Sequence, residues 1–121
     1  MGVTHWRRPP THWRGTVRKF RNRPVVIDAI RFDSQAEGQH YVWLKAEQAA
    51  GRIRELAVHP VYYLVVNDQP ICRFVPDFRF VRDGQTIVED VKSPVTAALR
   101  VYQMKKRLLA ALHGLTVVEV R

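Results

Sequence analysis

Two aspartates and a lysine in the second half of the chain have the types and spacing that could support chemistry. Asp77 precedes a predicted hairpin, and Asp90 and Lys92 follow it on a second β-rich segment. The dipeptide Asp83-Gly84 favours a tight turn, which would bring Asp77 close to the other two. Asp90 and Lys92 share a face because side chains alternate along a strand. Carboxylate oxygens suit Mg²⁺ or Mn²⁺ and a lysine can steady an attacking water, so the pattern predicts a site for a divalent cation and a phosphate.

Asp77 also has a simpler interpretation. Residues 71–81 read as one amphipathic strand, with Asp77 on the polar face beside Arg73 and Arg79. The opposite face carries Cys72, Phe74, Phe78 and Phe80. Judged alone, Asp77 would be a solvated residue of that strand. The aspartate and lysine across the hairpin favour a site instead.

The first helix is predicted to begin after Ser34, a good N-cap, and to end before Gly51. Glu37 stands three residues after Ser34, so a capping box explains it locally. It also shares a helix face with Tyr41 and Leu44, an apolar stripe that would turn toward the core. Both readings of Glu37, as a capping residue and as an inward carboxylate, remain open at this stage.

Short β segments surround this helix. Residues 25–32 predict a hairpin or bent strand with a turn at Asp28-Ala29. Residues 52–66 are rich in β-formers and are interrupted at His59-Pro60, because proline removes a donor from the strand ladder. We expect a bulge, bend or edge position at that interruption.

A second helix of about 20 residues is predicted from Pro94 to His113, after the N-cap Ser93, and residues 115–120 form a last strand. The predicted buried stripe consists of Val95, Leu99, Tyr102, Leu109 and Leu112. Another face carries Arg100, Gln103 and Arg107, which could meet a DNA backbone. The order predicted from the pattern is hairpin, helix, three strands, helix, strand.

Pro76-Asp77, followed after twelve residues by Asp90-Val91-Lys92, resembles the motif of the PD-(D/E)xK nuclease superfamily. The wider sequence is similar to a family of short phage-encoded proteins placed in that superfamily, over about residues 24 to 120. The resemblance implies an α/β (α+β) restriction-endonuclease-like core, αβββαβ, with a mixed sheet flanked by helices. The order predicted from the pattern agrees with it.

The resemblance implies a Mg²⁺-dependent endonuclease that hydrolyses DNA phosphodiester bonds, with Mn²⁺ able to substitute. Asp77 and Asp90 would hold the metal with the carbonyl of Val91, and Glu37 would complete or water-bridge the coordination. Lys92 would position or activate the attacking water. A homodimer that cleaves branched DNA or nicks DNA in phage DNA metabolism is implied, together with further phage or host replication, recombination or packaging proteins as possible partners.

Two other classes of protein compete with a nuclease. The fold could serve a non-catalytic nucleic-acid-binding adaptor, because a fold does not determine a function. The chain could also be a structural phage protein whose basic segment binds packaged DNA. The joint presence of Asp77, Asp90 and Lys92 favours the enzyme, because a binding protein has no need for all three.

The formal charge of +9 lies mostly in residues 1–24, which hold seven basic residues and no acidic one. These are Arg7, Arg8, Arg14, Arg18, Lys19, Arg21 and Arg23. We therefore divide the chain into a basic arm, residues 1–24, and a nuclease-like domain, residues 25–121, and expect the arm to bind nucleic acid. Trp6 and Trp13 in the arm could stack on unpaired bases, or could anchor the arm to its own domain or a second subunit.

The remaining composition excludes some classes of protein. No apolar run approaches the ~20 residues that a membrane-spanning helix needs. Cys72 is the single cysteine, so no disulfide can form within the chain. These observations predict a protein without membrane contact in the cytoplasm, which would be the host cytoplasm for a phage-encoded chain.

Overall fold

A mixed sheet carries the residues of interest in the structure, a computed structural model that describes residues 23–120. The strands are β1 (Val25–Ile27), β2 (Ile30–Phe32), β3 (Arg54–Val58), β4 (Tyr62–Val66), β5 (Gln69–Phe74), β6 (Phe78–Arg82), β7 (Gln85–Val91) and β8 (Val117–Val120). The helices are α1 (Gln35–Ala49), α2 (Pro94–Ala97) and α3 (Arg100–His113). Strands β3, β6, β7 and β8 form the main sheet in that order, antiparallel except for the parallel pair β7–β8. The expected mixed α+β class is confirmed.

The chain divides into two compact units between Gln35 and Ala36. The described part of the first unit contains the hairpin β1–β2, whose turn residues Asp28 and Ala29 have φ of 54° and 63°. Left-handed backbone at both central positions suits a tight hairpin, and the predicted turn is confirmed. Most of the predicted arm, residues 1–22, lies outside the described residues, so the proposed boundary after residue 24 stays a prediction.

The second unit begins within helix α1, which ends as the sequence predicts. The N–H of Arg52 donates to the carbonyl of Glu47, and Gly51 has φ of 80°. This is the hydrogen-bonded pattern with a left-handed residue that commonly terminates a helix. The buried face of α1 includes Glu37, Tyr41 and Leu44, as the apolar stripe predicts.

The single strand predicted over residues 71–81 is wrong, because the chain breaks between β5 and β6 at Val75, Pro76 and Asp77. Pro76 is fully buried and has no N–H to give to a strand ladder. β5 pairs with β4 in a separate hairpin, whereas β6 joins the main sheet. Five strands therefore lie between α1 and α2, where the sequence predicts three.

The break at residues 75–77 also gives the side chains before it and after it different neighbours. Phe74 lies 6.2 Å from the ring of Tyr102 on α3, whereas Phe78 stacks 6.5 Å from the ring of Tyr41 on α1. The shared apolar face predicted for Phe74 and Phe78 is therefore wrong. Alternation along a strand holds only while the strand is continuous.

The single helix predicted over residues 94–113 is also wrong. Ser93 caps α2 in a capping box with Thr96, but Leu99 adopts an extended conformation (ψ 132°) before α3 begins. Because of this break, no backbone N–H four residues later donates to the carbonyl of Ala97. The side-chain amide of Gln103 donates to it instead. α3 ends at Gly114 with φ of 68°, where the sequence places its end.

The break between α2 and α3 alters the predicted apolar stripe. Tyr102 and Leu109 are buried in a core with Leu64, Val88 and Val117. In contrast, Val95 is 70% exposed, Leu99 55% and Leu112 39%, so their predicted burial is wrong. Val95 and Leu99 lie before α3, where the helical period that placed them on one face is interrupted.

Within the described residues, no helix is both long enough and apolar enough to cross a membrane.

Candidate metal centre

The pairing of β6 with β7 brings the two aspartates together. Phe78 pairs with Glu89, which places Asp77 across from Asp90 one position further. The N–H of Asp77 donates to Oδ1 of Asp90 at 2.9 Å, and the N–H of Val91 donates to Oδ2 of Asp77 at 2.8 Å. Both side chains are buried. The predicted approach of Asp77 to Asp90 across the hairpin is confirmed.

Burial and neighbouring negative charge raise the pKa of both carboxylates. Burial raises the pKa of Asp77 to about 6, helped by the negative charge of Glu37, while the hydrogen bond from Val91 and the charge of Lys92 act against it. Burial also raises the pKa of Asp90 to about 6, with the charge of Asp77 adding to it and Lys92 opposing it. A buried pair of this kind calls for additional positive charge.

Two neighbouring buried atoms, Oδ2 of Asp90 and the hydroxyl of Tyr102, lack a hydrogen-bond partner at normal geometry among residues 23–120. The side chain of Asp90 is 1% exposed, yet Oδ2 has no hydrogen-bond partner in that part of the chain. Within residues 23–120, the ammonium of Lys92 pairs with this carboxylate, with Nζ 3.9 Å from Oδ2 and 4.8 Å from the centre of the Tyr102 ring. A buried carboxylate oxygen without a donor costs several kcal/mol in general, so this atom is suited to a ligand.

The ring of Tyr102 packs beside Asp90 and Lys92. Burial raises the pKa of its hydroxyl, and the negative charges of Asp90 and Glu119 raise it further. Lys106 approaches the same ring at 5.4 Å, but its Nζ is held 2.5 Å from Oε2 of Glu119. Two lysines thus meet one aromatic ring, and Lys92 is the one beside Asp90.

Glu37 and His59, which lie on other elements, form a cluster with Asp77. One ligand atom each from Glu37, His59 and Asp77 lies within 4.8 Å of the other two. Glu37 is buried in the first turn of α1 and reaches inward, as its helix face predicted. The catalytic role given to it stays a prediction.

His59 was missed in the sequence, although it stands at the interruption after β3 that the sequence does predict. Its φ of 53° is left-handed, and its N–H donates to the carbonyl of Asp77 at 2.9 Å. Such backbone is uncommon outside glycine and generally costs about 1–3 kcal/mol, although His, Asn and Asp tolerate it better than most residues. The signal available in the sequence was a histidine directly before a proline between two strands.

The residues present fit a divalent cation. The group with ligand atoms close together offers the carboxylates of Glu37 and Asp77 and an imidazole nitrogen of His59. Asp90 is not a member of that group, but it accepts a hydrogen bond from the N–H of Asp77 and has an unsatisfied buried oxygen. Oxygen-rich sets of this kind suit Mg²⁺ and Mn²⁺. Val91 is present through its N–H, which is committed to Asp77. Its carbonyl as a ligand stays a prediction.

A further buried carboxylate lies on the opposite face of β7. Glu89 is 8% exposed, and its Oε1 lies 2.7 Å from Nε2 of His40, which therefore donates. The His40 ring packs 5.6 Å from Trp43 and 5.5 Å from Phe78. Glu89 and Asp90 thus point to opposite faces, as strand alternation predicts.

The residues predicted to bind nucleic acid lie partly within the described chain and partly outside it. Arg23, Arg100 and Arg107 are exposed. Gln103 is half-buried and its amide is committed to the carbonyl of Ala97. The predicted residues Arg7, Arg8, Arg14, Arg18, Lys19, Arg21, Trp6 and Trp13 lie outside residues 23–120.

Comparison with known proteins gives one match. The sequence profile of a protein family described as "Protein of unknown function (DUF1064)" matches residues 17–115. No curated protein and no solved structure matches the chain.

Proposed function

The chain belongs to the DUF1064 family, and we propose that it is a Mg²⁺-dependent nuclease that hydrolyses phosphodiester bonds in DNA. The observation that carries the proposal is the buried pair Asp77 and Asp90, with Oδ2 of Asp90 unsatisfied and Lys92 beside it. Two carboxylates and an ammonium at one strand end form a constellation suited to an anionic phosphodiester.

The PD-(D/E)xK core is part of this proposal. A helix that carries an inward glutamate, a hairpin that carries the two aspartates, and a parallel final strand after a further helical segment support it. The hairpin β4–β5 is then an insertion between the first and second strands of the main sheet. The phage origin suggested by the sequence belongs to the same proposal.

Asp77, Asp90 and Glu37 would hold the cation, which when bound polarises the phosphate and makes an attached water more acidic. The N–H of Val91 fixes the Asp77 carboxylate, and the N–H of Asp77 fixes that of Asp90. These backbone bonds orient both groups before a ligand arrives. Such preorganisation avoids a reorganisation cost during the reaction.

Lys92 would act on the phosphate or on the attacking water. Its ammonium lies at 3.9 Å from Asp90, too far for a hydrogen bond, and it rests over the face of Tyr102. The aromatic face holds the cation without occupying its three donors. Those donors remain available to an oxygen of the substrate.

Basic residues would supply the affinity for DNA. The seven basic residues of the arm, with no acidic neighbours, suit sequence-independent contacts to phosphates. A groove of about 420 Å³ borders Tyr102 and is lined in part by Arg73 and Lys105. The proposal is completed by a homodimer that cleaves branched DNA or nicks DNA in the host cytoplasm, with replication, recombination or packaging proteins as partners.

The test is incubation of the purified protein with a supercoiled plasmid and a synthetic four-way junction, with Mg²⁺, Mn²⁺ or chelator. We expect cleavage or nicking that needs the metal and is lost in Asp90→Asn. Binding of either DNA without cleavage under all metal conditions would contradict the nuclease and favour a non-catalytic adaptor. Copurification with virion components, again without cleavage, would favour a structural phage protein.

A further inference from the structure

His59 brings a nitrogen ligand to a cluster otherwise made of oxygens. Its imidazole lies with one ligand atom within 4.8 Å of those of Glu37 and Asp77. The ring is half-buried, at the point where β3 ends and the chain turns toward β4. None of the nuclease chemistry described above uses this side chain.

The backbone holds His59 at the cluster. Its N–H bonds to the carbonyl of Asp77, the same residue whose side chain faces the imidazole. A left-handed φ of 53° directs the chain away from β3 at this residue, and Pro60 follows at once. The position of the ring is therefore tied to that of Asp77 rather than to a mobile surface loop.

We propose that His59 is a ligand of the bound cation and makes the site prefer Mn²⁺ to Mg²⁺. This inference rests on the proposed metal site and adds its selectivity. Mg²⁺ is bound mainly by oxygen, whereas imidazole favours transition metals. Carboxylates are in the majority among the ligands here, and Mn²⁺ accepts both carboxylate oxygen and imidazole nitrogen.

Two variants separate the side chain from the backbone. His59→Asn keeps a residue that tolerates left-handed backbone and replaces the nitrogen ligand with an amide. His59→Gly removes the side chain and relieves any backbone strain. Asp77→Asn is the matched control for the site as a whole, because it removes a carboxylate that any cation would use.

The experiment measures metal binding by the full chain without DNA. Free Mn²⁺ is followed by electron paramagnetic resonance, and Mg²⁺ by calorimetry. We expect the wild type to bind Mn²⁺ at least ~10-fold more tightly than Mg²⁺, and both His59 variants to lose ~10-fold or more in Mn²⁺ affinity, a typical cost of disturbing a metal's surroundings. Mg²⁺ affinity should change less than about threefold, a loss much smaller than that for Mn²⁺.

A second readout detects the nitrogen ligand directly. Pulsed paramagnetic resonance of the Mn²⁺-bound wild type should show coupling to an imidazole ¹⁴N, and both His59 variants should lose it. Absence of that coupling in the wild type, or an unchanged Mn²⁺-to-Mg²⁺ preference in the variants, would overturn the role of His59. If Asp77→Asn still abolishes binding in that case, the proposed nuclease site stands. Wild-type protein that binds neither metal removes both.

Discussion

Two buried carboxylates stand side by side on β7 and differ in how they are satisfied. Glu89 faces α1, where a ring nitrogen of His40 meets it at 2.7 Å. Asp90 faces α3, where one of its oxygens lacks a hydrogen-bond partner in the described chain and the ammonium of Lys92 lies at 3.9 Å. Both are almost fully enclosed. Burial of a carboxylate therefore does not by itself indicate a functional site. Burial of a carboxylate oxygen that lacks a hydrogen-bond donor does indicate one.

The largest expected effect is the loss of activity in Asp90→Asn. If the unsatisfied face of β7 holds the metal, this change should lower metal-dependent cleavage by about 10³-fold or more, because a metal ligand acts on charge that develops in the transition state. Glu89→Gln is the matched control on the satisfied face and should keep the rate within about threefold. Rates are measured on plasmid DNA, with folding checked by circular dichroism. Equal losses in both variants would remove the distinction between the faces.

Lys92→Ala should reduce cleavage by about 10²- to 10³-fold, because it removes a positive charge from a partly enclosed site. Lys106→Ala is the control, since its ammonium lies over the same Tyr102 ring but is already held by Glu119. Cleavage by Lys106→Ala should stay within a few-fold of wild type. DNA binding by Lys92→Ala should be nearly unchanged in a gel-shift assay. Undiminished cleavage by Lys92→Ala would contradict its role.

Glu37→Gln should lower cleavage about 10- to 100-fold at low Mg²⁺ and recover as Mg²⁺ is raised, because the substitution weakens metal binding rather than chemistry. The melting temperature should change little, since glutamine preserves much of a capping-box geometry. A metal titration of the rate decides between the two readings of this residue. Wild-type rates at every metal concentration would leave only the capping role.

His40→Ala should destabilise the protein by about 1–3 kcal/mol, because Glu89 then stays buried without its donor. Its packing against Phe78 and Trp43 is lost as well. Metal affinity should remain within a few-fold of wild type, because His40 serves the satisfied face. Urea unfolding measures the first quantity and calorimetry the second. Replacing both partners, His40→Leu with Glu89→Leu, should recover much of the stability.

The smallest expected effect is a pH dependence of the metal-free protein. The pKa values of Asp77 and Asp90 rise from 3.8 unfolded to about 6 folded, so their contribution to stability is present below pH 3.8 and is lost as the pH rises through 6. The melting temperature of Asp90→Asn, relative to that of wild type, should therefore rise by several degrees between pH 4.5 and pH 7.5. A change of ~1 kcal/mol in the free energy of unfolding shifts the melting temperature by ~4–8 °C in a domain of ~100 residues. A constant difference across this range would contradict the raised pKa.

Adding Mg²⁺ sharpens the same experiment. Protons and the cation compete for the carboxylates, so the metal should stabilise wild type more at pH 7.5 than at pH 4.5. Asp90→Asn should gain little at either pH. Scanning calorimetry with and without Mg²⁺ checks both statements.

Local turn chemistry made part of the fold predictable. Asp83-Gly84 and Asp28-Ala29 close their hairpins as expected, and the first of these turns sets the register that places Asp77 across from Asp90. Glycine and aspartate tolerate the left-handed backbone that such turns require. The meeting of Asp77, Asp90 and Lys92 follows from this register and from strand alternation.

The breaks at Pro76 and at Ala98–Leu99 depend on tertiary contacts and were not predictable in the same way. A buried proline marks where β5 leaves its hairpin and β6 enters the main sheet, but the sequence around it reads as one alternating strand. The α2–α3 break is accommodated by Gln103, whose side-chain amide donates to the carbonyl of Ala97 in place of a missing backbone donor. His59 lies near Glu37 and Asp77 because of contacts between residues far apart in the sequence, which local periodicity does not predict.

The bond from the Val91 amide to the Asp77 carboxylate has a spectroscopic consequence. An amide proton that donates to a carboxylate senses the charge on that oxygen directly, unlike one that donates to a neighbouring strand's carbonyl. In ¹H–¹⁵N correlation spectra, the Val91 resonance should therefore shift as Asp77 gains a proton near pH 6 and shift again when a cation binds. The Val91 amide resonance thus reports, without DNA, which of three states the site is in. Asp77 is protonated, ionised without a bound cation, or bound to metal.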